Sequence, residues 1–175
     1  FAANSTYTIS SWAFYDNSFT KIDASAANMT LNVNDSGLKD LTKVTEFKLG
    51  ENSTYVFNSK SIGKTTYTKL VVPKNASVSF ANNWLDGNTT FTEVDASAEN
   101  TTVIFNSSCF NGKTAFSTVK FGKNATLTFS EDCFKGTAVQ GLTLPEGATI
   151  TFNGYGLRNF AITELEIKSG STVTF

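Results

Sequence analysis

Apolar and polar residues follow a template along this chain that returns every 23 to 25 residues. The segment 116–137 shows the unit, with apolar residues at its first, fourth, sixth, twelfth, fourteenth and nineteenth positions. The fourth and sixth positions alternate with polar residues, as do the twelfth and fourteenth, and a period of two indicates a half-buried strand. The pattern therefore predicts two short strands in each repeat.

A fixed repeat of this length predicts a solenoid, because one repeat cannot bury its apolar faces until another stacks on it. We expect one all-β or β-rich solenoid domain over residues 1–175, with two short parallel strands per coil. A partial copy covers 1–18, and further repeats start near residues 19, 44, 67, 91, 116, 139 and 162. The interval between the fourteenth and nineteenth positions is five in every copy, so length variation falls in loops.

Several short motifs recur at fixed places in these repeats: Val71–Pro73, Leu142–Pro145, Ala13-Phe14, Cys109–Gly112 and Cys133–Gly136. They resemble the landmarks of the BspA-like leucine-rich repeats. The resemblance covers nearly the whole chain. It implies a stack of LRR-like coils and a role at the cell surface, because proteins of that family often act in attachment.

The composition argues against several classes of function. The chain has no histidine, two cysteines and a formal net charge of -1, with Lys and Arg scattered. No basic patch exists to bind nucleic acid, and no apolar run is long enough to span a membrane. Without histidine there is no Ser-His or Cys-His nucleophile pair and no imidazole metal ligand. We therefore predict no enzyme and no cofactor, and interpret the acidic pair Glu131-Asp132 as solvated surface.

The ninth position of six repeats is an asparagine followed two residues later by Ser or Thr, which is the N-glycosylation signal. These residues are Asn4, Asn28, Asn52, Asn75, Asn100 and Asn124. In the last two repeats Gly147 and Gly170 take this place, so the column also fits a turn that needs a left-handed residue. Both interpretations put the column at a solvent-exposed corner. We expect N-linked glycans on several of these sites and a secreted or cell-surface protein.

Three further acceptor signals lie off this column, at Asn34, Asn88 and Asn106. We expect these to be glycosylated less readily than the column.

The eleventh position is Thr or Ser in every copy, and the thirteenth often is, which predicts an outward array of hydroxyl and methyl groups. The thirteenth-position members are Thr8, Ser79, Thr128, Thr151 and Thr174. Such Thr-x-Thr pairs are similar to the ice-binding faces of some β-solenoid antifreeze proteins. The plainer interpretation is that Thr is a favoured exposed strand residue.

Charged residues on the first strand alternate in sign from one repeat to the next. The third position runs Lys21, Glu46, Lys69, Glu93, and the fifth runs Asp23, Lys48, Val71, Asp95, Lys120. Stacked opposite charges favour the correct register, since a slip of one coil opposes like charges. A carbohydrate or protein ligand could also use this surface.

Cys109 and Cys133 hold the same position in adjacent repeats, so stacking would place them about one strand spacing apart, within reach of a disulfide. That position is mostly small in other repeats. Each cysteine is therefore equally well interpreted as a small packed apolar residue.

The core pattern is still running at Phe1 and at Phe175, so we expect either more chain or another copy of the protein beyond each. The leading hypothesis is an extracellular glycosylated structural protein that stacks head to tail with itself into a fibre or surface assembly. The alternative is a monomeric cell-surface adhesin or binding module. Ice binding through the Thr-x-Thr face is a lesser alternative.

Overall fold

The computed structural model describes residues 1–175 as parallel strands without a helix, wound into a β-solenoid of about seven turns. This confirms the predicted fold class. The strands are β1 (Thr6–Ile9), β2 (Lys21–Ala24), β3 (Thr30–Val33), β4 (Leu38–Lys39), β5 (Glu46–Leu49), β6 (Thr54–Phe57), β7 (Ile62–Gly63), β8 (Lys69–Val71), β9 (Ser77–Phe80), β10 (Glu93–Ala96), β11 (Thr102–Phe105), β12 (Thr118–Phe121), β13 (Thr126–Phe129), β14 (Gly141–Leu144), β15 (Thr149–Phe152), β16 (Glu164–Ile167) and β17 (Thr172–Thr174).

One side of the solenoid is an unbroken parallel sheet, which we call the long sheet, ordered β1-β3-β6-β9-β11-β13-β15-β17. Its strands pair position for position, so Thr126 lies opposite Thr149 and Phe129 opposite Phe152. The twelfth and fourteenth positions of every strand from β3 to β15 are buried. The second alternation in the sequence is therefore the inward face of this sheet.

The other strand of each coil forms a side that is interrupted twice, which we call the split sheet. Its hydrogen-bonded groups are β2-β5, β8-β10-β12 and β14-β16. In two of these groups the residue at the place of Gly122 donates its N–H to the previous coil: Gly122 to the Ala96 carbonyl at 2.9 Å and Lys168 to the Leu144 carbonyl at 3.0 Å. Pro73 and Pro145 occupy this place at the two interruptions and have no N–H to donate. The alternation of apolar and polar residues does not predict these breaks.

The third side consists of turns, with one short pair of strands between β4 and β7. The chain enters it through a residue with positive φ, three positions past the long-sheet strand. This place is taken by Trp12, Ser36, Lys60, Asn83, Ser108 and Asp132. A bulky aromatic residue is unusual in that conformation. The interval of five residues in the sequence pattern is the length of this turn.

The core is one continuous cluster of 41 buried residues that runs along the solenoid axis. Its central feature is a file of phenylalanine rings stacked from coil to coil. Consecutive ring centroids from Phe57 through Phe80, Phe105, Phe129 and Phe152 to Phe175 are 6.0, 5.7, 5.3, 5.1 and 5.3 Å apart. Dispersion between these rings and burial of their apolar area bind each coil to both neighbours.

Replacing Phe105 with alanine should destabilise the solenoid by about 3–5 kcal/mol, because it leaves a cavity between Phe80 and Phe129 that the rigid stack cannot close. The free energy of unfolding in urea measures this. Val71→Ala is the control on an exposed apolar side chain and should change it by less than about 0.5 kcal/mol. Equal effects of the two substitutions would contradict a core held by stacked rings.

Candidate functional surfaces

The asparagine column lies at the corner between the split sheet and the long sheet. Its residues all have positive φ, between 54° and 58°, and Gly147 and Gly170 continue the same conformation at 69° and 72°. The backbone N–H of each column residue from Asn4 to Asn124 donates to a carbonyl of the next coil at 3.0–3.2 Å. The column is therefore a left-handed turn that the fold requires, which supports the turn interpretation of the sequence.

The side-chain amides of the column are joined into a ladder. Each donor is the Nδ2 of one asparagine and each acceptor is the Oδ1 of the preceding one, and four such bonds form. They join Asn28 to Asn4 at 3.2 Å, Asn75 to Asn52 at 2.8 Å, Asn100 to Asn75 at 3.0 Å and Asn124 to Asn100 at 3.2 Å. The amide ladder explains why asparagine rather than glycine fills most of this column.

The ladder is interrupted between Asn28 and Asn52, where no side-chain bond forms. Next to this gap the hydroxyl of Tyr55 lies between two coils. It accepts a hydrogen bond from the Gly50 N–H at 2.5 Å and donates one to the Ala24 carbonyl at 2.7 Å. The equivalent groups of Gly122 and Ala96 bond directly at 2.9 Å, so at this place the tyrosine hydroxyl replaces a backbone bond between the coils. The sequence contains this tyrosine but gives no sign that its hydroxyl enters a backbone ladder.

The three acceptor signals outside the column lie in less accessible places. Asn88 is 2% exposed, and its Nδ2 donates to the Thr65 hydroxyl at 2.9 Å. Asn106 is half-buried, and its Nδ2 donates to the Ser79 hydroxyl at 3.0 Å. Asn34 is also half-buried and accepts a bond from Asn58. The folded chain thus presents the column more openly than these three, and the glycosylation of any of these sites stays a prediction.

The outward face of the long sheet is a flat array of hydroxyl and methyl groups without a charged residue. Its eleventh-position members are Thr6, Thr30, Thr54, Ser77, Thr102, Thr126, Thr149 and Thr172. Only the Ser79 hydroxyl of this face takes part in a protein hydrogen bond, so the others are free to bond with solvent or a ligand. Asn32, Val56 and Ile104 interrupt the second file. Ice binding by this face stays a prediction.

The alternating charges on the split sheet form ion pairs between coils, as the sequence indicates. Lys69 Nζ lies 3.3 Å from Glu93 and 2.7 Å from Asp95, and Lys120 Nζ lies 2.6 Å from Glu93. The hydrogen bond from Lys120 lowers the pKa of Glu93. Exposed pairs of this kind stabilise little, about 0–1 kcal/mol each, so their main effect is on register.

A second alternating ladder, which the sequence analysis missed, lies at the corner beside the asparagine column. It consists of Glu51, Lys74, Glu99, Lys123 and Glu146. Lys74 pairs with Glu99 at 3.3 Å and Lys123 with Glu146 at 2.8 Å. The alternation at the eighth position of the template was the signal that could have revealed it.

The two cysteines are free thiols in the structure. Both are buried, and each sulfur points at a backbone carbonyl of the next coil, at Cys133 and Gly156 respectively, at 3.8 Å. Burial raises the pKa of Cys133 to about 12 and that of Cys109 well above its ordinary value. Their burial fits the interpretation as small packed residues, and a disulfide between them stays a prediction.

Asp132 belongs to an ion cluster on the third side, which corrects the interpretation of the Glu131-Asp132 pair as solvated. Arg158, one coil away, donates to Asp132 through Nε at 3.1 Å and through a terminal nitrogen at 2.9 Å, and it also contacts Glu131. Asn159 donates to the same carboxylate at 3.0 Å. These bonds, that of Arg158 first, lower the pKa of Asp132 to about 2.

The first and last coils expose large apolar side chains. Phe1 is 47% exposed and Phe175, which ends the phenylalanine file, is 79% exposed. Beside them, Leu165 and Ile167 of β16 are also exposed, as are Phe14 and Phe19 near β1. In interior coils the corresponding positions are mostly buried by a neighbouring coil.

No helix of the structure is long and apolar enough to cross a membrane. The fold and these surfaces define the chain as a parallel β-solenoid. No family model, curated protein or solved structure matches it. The resemblance to the BspA-like repeats therefore stays a prediction from the motifs.

Asn100→Gly, in unglycosylated protein, should lower the free energy of unfolding by about 1 kcal/mol, because it keeps the left-handed backbone and removes two amide bonds. Asn100→Ala should cost about 1 kcal/mol more, since a Cβ is unfavourable at positive φ unless the side chain compensates. Urea unfolding measures both. An unchanged stability of Asn100→Gly would show that the amide ladder contributes nothing.

The Asp132 cluster should make stability depend on pH. The pKa of Asp132 in the folded chain, about 2, is below its ordinary 3.8. The contribution of the Asp132 carboxylate to the free energy of unfolding is therefore complete above about pH 4 and is lost as the pH falls toward 2. Arg158→Gln should destabilise the protein more at pH 6 than at pH 2 in urea unfolding. The same loss at both pH values would contradict a stabilising charge pair.

Proposed function

We propose that this protein is an extracellular, N-glycosylated structural subunit that stacks end to end into a fibre or surface assembly. The observation that carries the proposal is the repetition of one coil-to-coil contact along the whole solenoid. Every coil pairs with the next in the long sheet, and from Phe57 onward the phenylalanine file also joins each coil to the next, with charge pairs such as that of Lys123 and Glu146 at the corner. An end coil carries these groups without a neighbour and is therefore complementary to another coil of the same kind.

The two end surfaces fit a head-to-tail contact between copies. Pairing of β17 with β1 of a second copy would continue the long sheet in register, with Thr172 opposite Thr6 and Thr174 opposite Thr8. Phe175 would then pack against Ile9 of that copy, as Phe152 packs against Phe175. Such a contact joins different surfaces of identical molecules and does not close, so it produces a filament.

An extracellular location is supported by the asparagine column. Six exposed acceptor signals occupy one solvent-facing corner, and a glycan there would project away from the core. The two grooves along the split sheet, of about 370 Å³ beside Pro73 and about 410 Å³ beside Pro145, are open to solvent and do not enclose a small-molecule substrate. The molecule is thus better suited to a mechanical or surface role than to catalysis.

Phe175→Asp should abolish filament formation, because it places a charge against the apolar edge of the next copy. Negative-stain electron microscopy and light scattering at matched concentration measure assembly. Val71→Asp is the control, since Val71 is an exposed apolar residue on the side of the stack, 52% exposed. It should leave filaments intact. Dispersed wild-type rods, or equal loss of assembly in both variants, would contradict end-to-end stacking.

A second candidate function is a surface adhesin or binding module. It is favoured by the hydroxyl groups on the long sheet that have no protein partner, an uncharged array able to bond a carbohydrate. Under this alternative, Thr128→Lys and Thr151→Lys should reduce binding in a glycan screen while leaving assembly unaffected. Loss of filaments without loss of binding in Phe175→Asp would support an independent adhesive role.

A further inference from the structure

We propose that Asn52 is the principal glycan acceptor among the interior positions of the asparagine column, and that the Tyr55 hydroxyl makes it so. This inference rests on the proposed secreted, glycosylated state of the protein. It goes further by identifying which of the stacked acceptors carries the sugar. The side-chain nitrogen of each asparagine decides this, because that atom forms the bond to the sugar.

In N-glycosylation the Nδ2 of asparagine attacks the anomeric carbon of a glycosyl donor activated as a lipid diphosphate. The N–C bond forms, the bond from that carbon to the diphosphate oxygen breaks, one amide proton is released and the diphosphate leaves. The product amide has one N–H where it had two, and a sugar ring on its nitrogen. The remaining N–H can still donate, but the sugar on the same nitrogen crowds the neighbouring coil. A modified chain therefore completes the stack with the least rearrangement where the folded structure leaves that nitrogen unused.

In the interior of the column, this nitrogen is used at every position except one. The Nδ2 atoms of Asn28, Asn75, Asn100 and Asn124 each lie 2.8–3.2 Å from the Oδ1 of the preceding asparagine. Neighbouring coils are only about 4.8 Å apart, so a sugar on a bonded nitrogen must compete with the amide of that neighbour. The Nδ2 of Asn52 donates to no protein group.

Asn52 also keeps its place in the ladder when its nitrogen is modified. Its Oδ1 accepts the bond from Asn75 at 2.8 Å, and this oxygen is not altered by glycosylation. Asn52 is exposed to solvent. The missing bond of the amide ladder is the one between Asn52 and Asn28. A sugar on Asn52 therefore breaks no hydrogen bond of the folded protein.

The interruption has an identifiable origin in Tyr55. Its hydroxyl bridges the Gly50 N–H and the Ala24 carbonyl, whereas the equivalent groups of Gly122 and Ala96 bond directly at 2.9 Å. We expect that removing the hydroxyl lets Gly50 and Ala24 bond directly, and that the Asn52 amide then reaches Asn28 as the Asn124 amide reaches Asn100 in the coil of Gly122. The acceptor is therefore selected by a side chain three residues away.

The test is glycopeptide mapping of the folded protein secreted from a eukaryotic host, with enzymatic deglycosylation in heavy-oxygen water to mark each occupied asparagine. We expect occupancy at Asn52 to exceed that at Asn28, Asn75, Asn100 and Asn124 several-fold. Tyr55→Phe should lower the occupancy at Asn52 toward that of the other four interior asparagines. Tyr67→Phe is the matched control, because the Tyr67 hydroxyl is buried without a partner, and it should leave the occupancy unchanged.

Equal occupancy along the column, or preference for another interior position in the wild-type protein, would overturn the inference and leave the glycoprotein proposal standing. If Tyr55→Phe is not secreted, the wild-type pattern alone decides. Absence of glycan from all nine acceptors would overturn both the inference and the glycosylated state. End-to-end stacking is judged separately, by microscopy of the same material.

Discussion

Register between neighbouring coils is the constraint on which this structure depends. Side chains alternate between the two faces of a strand. A slip of one residue would therefore turn the core side chains of a coil toward solvent. The phenylalanine file sets this register from inside, and the amide and charge ladders set it from outside. All three repeat at the interval of one coil, so the sequence is consistent at every level with a single stack.

The interior of this stack was predictable from the sequence, and much of its exterior was not. Alternation at Leu142-Thr143-Leu144 and at Ile150-Thr151-Phe152 identified both inward faces, since burial depends on the local period alone. The bonds of Arg158 to Asp132 and of Tyr55 to Ala24 join adjacent coils, between residues that are 26 and 31 positions apart in the sequence. Repeat length varies by two residues, so the pattern does not define which outward groups meet.

The prolines and the asparagines show how single residues modify a repeated scaffold. Pro73 and Pro145 remove one N–H each, and the sheet divides at both places while the core continues beneath it. Asparagine supplies a left-handed turn, a side-chain ladder and an acceptor signal at once. Under the proposed function these properties are compatible, because the turn needs the backbone, the ladder needs the amide and a glycan needs a nitrogen that the ladder leaves free.

The central claim is that the coil-to-coil register continues from one molecule into the next. X-ray diffraction from oriented, concentrated protein tests it directly, because the strand spacing gives a reflection at about 4.8 Å along the stack. The width of this reflection reports how far the spacing stays coherent. The account predicts a coherence length several times that of one molecule, which is about 40 Å for eight strands at this spacing. A coherence length no longer than one molecule would contradict it.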